Sequence, residues 1–197
     1  MPIRQARRAA FTLVEAMVST SITVIAGSAV LLGVASSMKT SSDMLNQTIA
    51  AGMAQQLMDE IAGQIYCADL TNPYQYPLSP NAYELAGVCR ERFNDIDDYN
   101  GYSSPSPKDR WGAVLGTDDG QGGTRNPLFS LPASTFANWQ PSVSVYYVSP
   151  TNQSQALPVG QTSAYRAAEV RIYFNHPTQG QRLLASVRRV FSYVPNQ

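Results

Sequence analysis

From Thr12 to Met38 the chain carries a single charged residue, Glu15. That run constrains the fold more than any other feature. About 20 helical residues cross a bilayer, and lipid leaves an open backbone no partner, so the run reads as one helix. It is not uniformly greasy. Ser19, Thr20, Ser21, Thr23 and Ser28 dilute it, as do Gly27 and Gly33. A helix hides hydroxyls by bonding them to its own carbonyls, and small residues let neighbouring helices approach closely. The segment therefore reads as a helix made to pack against other helices as well as lipid.

Before it stand Arg4, Arg7 and Arg8, with no acid before Glu15. These arginines hold the N-terminus in the cytoplasm and send the rest outward. The apolar run is too long for a cleaved secretory signal, and no small-x-small site closes it. A plain signal anchor would use the same arginines but gains nothing from Glu15. A carboxylate well inside a membrane helix costs roughly 2.5–3.5 kcal/mol, and such residues usually have a partner and a job.

The order of residues is specific: a basic leader, the small Ala10, then Phe11-Thr12-Leu13-Val14-Glu15 opening a long apolar helix. It resembles the N-terminus of type IV pilins and type II secretion pseudopilins. The resemblance covers the leader and first helix. It implies cleavage between Ala10 and Phe11 by a membrane aspartyl protease, the prepilin peptidase, and methylation of the new Phe11 amine. It implies extraction from the membrane, through an inner-membrane assembly platform, into a helical filament of pilin or pseudopilin subunits. There the acidic residue matching Glu15 meets the Phe11 amine of a neighbouring subunit. The physics agrees, because a buried carboxylate wants a cation and cleavage creates one. Two departures stand out. Ala10 occupies the place of the family's usual Gly, and no Pro occurs between Phe11 and Tyr66. The second, with the many hydroxyls, leans toward a minor pilin or pseudopilin.

Helical spacing continues past the membrane. Leu45, Ile49, Met53, Leu57, Ile61 and Ile65 recur every four residues, flanked by Met44, Ala54 and Met58. This is an amphipathic stripe. One helix from Phe11 to Tyr66 is the simplest reading. Breakers then fill 67–138, including Asn72-Pro73, Ser79-Pro80-Asn81 and Ser103-Ser104-Pro105-Ser106-Pro107. Alternation returns at Val143, Val145 and Tyr147, at Val170, Ile172 and Phe174, and at Val187, Arg189 and Phe191. The short link Asn175-His176-Pro177-Thr178-Gln179-Gly180 predicts an antiparallel hairpin. The expected organisation is a leader at 1–10, a membrane or filament-core half-helix at 11–38 and an amphipathic half at 39–66. A globular part at 67–197 follows, with a loop region to 138 and a sheet over 139–194. The fold class is α+β, with the long helix packed on an antiparallel sheet, as in pilins.

The remaining chemistry is sparse. Cys67 and Cys89 lie beyond the membrane run. In an exported segment they are expected to bridge, closing a loop of about 20 residues worth ~3 kcal/mol. With the single His176 they fall one ligand short of a closed zinc site. His176 sits in a predicted turn, and Ser/His/Asp or Cys/His catalysis would both require it, so the chain does not read as an enzyme. Clustered carboxylates at Asp95, Asp97 and Asp98, with Gly101 following, can ligate calcium. The register is not that of an EF-hand, because Tyr99 takes the third ligand position. A second acidic turn is Asp118-Asp119-Gly120-Gln121-Gly122-Gly123. No cofactor other than calcium is suggested. Lys and Arg number 14 against 14 Asp and Glu, so there is no basic excess to bind nucleic acid. The expected function is a filament subunit; the alternative is a signal-anchored extracytoplasmic binding module that never polymerises.

Overall fold

A computed structural model describes residues 12–117, 128, 130–178 and 180–195. The chain divides into two compact units, Met1–Leu45 and Asn46–Gln197. Helix α1 runs Leu13–Ala62, and the division falls within it. The expected start, Phe11, lies outside the described residues; within them the helix opens at Leu13, with the Thr12 hydroxyl accepting from the Glu15 amide at 3.3 Å. It stops four residues short of Tyr66. The Gly63 amide still bonds the Asp59 carbonyl at 3.1 Å, but the Gln64 amide turns to Ile61 at 3.1 Å, tightening and ending the helix.

In the first unit, every described residue from Thr12 to Ser42 is exposed. One 18-residue window reaches a mean hydropathy of 1.9, long and apolar enough to cross a membrane. The hydroxyls are hidden as the sequence suggests. Thr20 donates to the Ala16 carbonyl at 2.7 Å, while Ser21, Thr23 and Ser28 each find the carbonyl four residues back at 2.8 Å.

In the second unit, the C-terminal part of α1 buries Ala50, Ala54, Leu57, Met58 and Ile61. This corrects the expected stripe. Leu45 (60%) and Ile65 (56%) are exposed. A strict four-residue repeat advances about 40° around the helix at each step, so it cannot stay on one face. The buried line instead mixes steps of three and four.

Three strands form an antiparallel sheet in the order β1 (Trp139–Tyr147), β2 (Tyr165–His176) and β3 (Gly180–Ser192). The predicted hairpin joins β2 to β3, with His176 opposite Gly180. All three predicted alternations fall on strands. In β1, Trp139, Pro141, Val143, Val145 and Tyr147 are buried and the residues between them are not. The buried face, with Ala168, Val170 and Ile172 of β2, joins the helix residues in one core. The other face is polar, as a one-sided antiparallel sheet requires; there Arg171 pairs with Glu169 at 2.5 Å.

The outer edge of β1 is covered. Val143 exchanges bonds with Tyr102 (2.9 Å) and Gly101 (3.1 Å), and Asn100 Oδ1 accepts from the Val145 amide at 2.9 Å. The β3 edge carries Arg182, Arg188 and Arg189, charges that discourage edge-to-edge pairing.

Candidate functional site

Two features carry chemistry: the lone acid of the apolar helix, and buried charges in the globular unit. Glu15 lies in the first turn of α1, exposed, three residues after the capping Thr12. An acid in a first helical turn is favoured by the helix dipole, which offsets part of its cost in a low dielectric. Ala10, Phe11, Arg4, Arg7 and Arg8 lie outside the described residues. So do Asp118 and Asp119 of the second acidic turn.

The expected Cys67–Cys89 bridge is not formed, and both thiols are free. Each is held in a different cluster. Cys67 is buried, and burial pushes its thiol above the usual value despite the nearby Arg166. Cys89 lies 3.8 Å from both the Tyr102 hydroxyl and the Arg90 guanidinium. The segment between the two cysteines is instead tied to α1 and the sheet by two arginines.

Arg90 forks onto Glu60 of α1, its Nε and one Nη each donating to a carboxylate oxygen at 2.9 Å. Its other Nη donates to the Tyr102 hydroxyl at 2.6 Å, and the Tyr99 hydroxyl completes Glu60 at 2.9 Å. Arg166 of β2 is fully buried. It donates to Asp97 at 2.9 Å, to the carbonyls of Tyr66 (2.6 Å) and Pro73 (3.0 Å), and to the Tyr147 hydroxyl (3.1 Å). It also lies 4.3 Å from the Tyr66 ring centre. One side chain thereby fastens the segment after α1, the acidic loop and two strands.

The acidic run is turned inward. Asp95 Oδ1 accepts from the amides of Asp97 (3.1 Å) and Asp98 (3.2 Å), while its Oδ2 accepts from Ala68 at 2.7 Å. Asp98 accepts from Asn94 (2.8 Å) and Asp95 (3.2 Å). Asp97 meets Arg166 and Gln75. These carboxylates thus accept from backbone amides, the Arg166 guanidinium and the Gln75 side chain. Among the described residues, no group of three His, Cys, Asp or Glu is gathered to hold a metal ion. His176 is exposed at the end of β2, its Nδ1 accepting from the Thr178 amide at 3.2 Å.

Burial raises Asp98 to about 7, with Glu84 adding to the shift and the Asn94 amide opposing it. Burial, then Asp95, raises Asp97 to about 6, against the pull of Arg166. Between about pH 4 and 7 the folded chain therefore holds protons that the unfolded chain has released, and stability falls as the pH rises through that window. The urea midpoint is expected to drop steadily across it, and Asp98→Asn to flatten the decline. A midpoint that rises with pH would contradict the assignment.

The arginine network was missed by sequence reasoning. Arg166 at least stands beside the core residues Ala167, Ala168 and Val170, whereas nothing around Arg90 marks it as buried. No family model, curated protein or solved structure matches this chain.

Proposed function

We propose that this chain is a pilin-like subunit, a minor pilin or pseudopilin, assembled into a type IV pilus-like filament or a type II secretion pseudopilus. The observation that carries the reading is the single carboxylate, Glu15, in the first turn of a helix whose apolar surface is exposed from Thr12 to Ser42. That surface needs lipid or other helices. The carboxylate needs a cation, and cleavage after Ala10 supplies one at Phe11. The chain would begin in the bacterial inner membrane, N-terminus cytoplasmic, where prepilin peptidase cuts and methylates it. The assembly platform would then lift it from lipid into the filament. The role is contact and polymerisation, with no turnover.

The mature N-terminus tests this directly. Mass spectrometry of the chain from cells with active prepilin peptidase is expected to find N-methylated Phe11; an intact Met1 or Pro2 would favour the signal-anchored binding module. Glu15→Ala is expected to be processed normally and yet enter filaments at least tenfold less well, about 1.4 kcal/mol or more of lost pairing. Wild-type incorporation of that variant would remove the ion pair from the mechanism.

A further inference from the structure

We draw no further inference here: the strongest candidate, the apolar depression lined by Ile65, Leu70, Tyr193 and Val194 between the segment after α1 and the end of β3, is an unpartnered surface, and nothing in the structure shows what covers it.

Discussion

Replacing Arg166 by Met is expected to destabilise the globular unit by about 3–5 kcal/mol, the usual loss when one partner of a buried ion pair is removed. Arg166 is fully buried and its pair with Asp97 is at 2.9 Å. The substitution keeps most of the volume but strands the Asp97 carboxylate, leaving Gln75 as its remaining side-chain donor. It also frees the carbonyls of Tyr66 and Pro73. A typical domain has only about 5–15 kcal/mol in total, so the variant should sit near the edge of folding. Urea unfolding of the full-length chain, followed by tryptophan fluorescence, reads the loss, because Trp139 is buried in the core. Adding Asp97→Leu should recover part of it, since the stranded charge is then gone. A loss below about 1 kcal/mol would mean that the pair is ordinary surface electrostatics.

The second large effect separates the two stretches of α1. Ile61→Ala is expected to cost about 2–5 kcal/mol, through lost transfer energy and the cavity left behind. Ile61 is completely buried within the core shared by helix and sheet. Ile22, on the same helix, is 62% exposed, and Ile22→Ala should change the same unfolding midpoint by no more than about 0.5 kcal/mol. On the proposed reading its consequence belongs to membrane insertion and helix packing. Equal shifts for the two variants would mean that the apolar stretch is folded into the core after all.

Regular elements were legible because each is written in residues close together in sequence. The run from Thr12 to Met38 needs only its length and lack of charge to become helix. The alternation at Val143–Tyr147 and Val170–Phe174 needs only the two-residue period of a strand. The helical stripe was legible in kind but not in phase, because a four-residue count drifts around the helix while the true core line at Ala50, Ala54, Leu57, Met58 and Ile61 does not.

The opening feature, Glu15 alone in its apolar helix, came from the sequence by itself, and with it the demand for a cationic partner. Tertiary structure alone decided what holds the globular unit together. Arg166 meets Asp97 across 69 positions and Arg90 meets Glu60 across 30. No local period marks such pairs, since burial selects them only after the sheet and helix have brought distant residues together. The same burial made Asp95, Asp97 and Asp98 acceptors for backbone amides, a guanidinium and the Gln75 side chain. It also left Cys67 and Cys89 in separate arginine clusters, each thiol free. Two cysteines in a sequence state that a bridge is available; only the folded chain states whether their side chains meet.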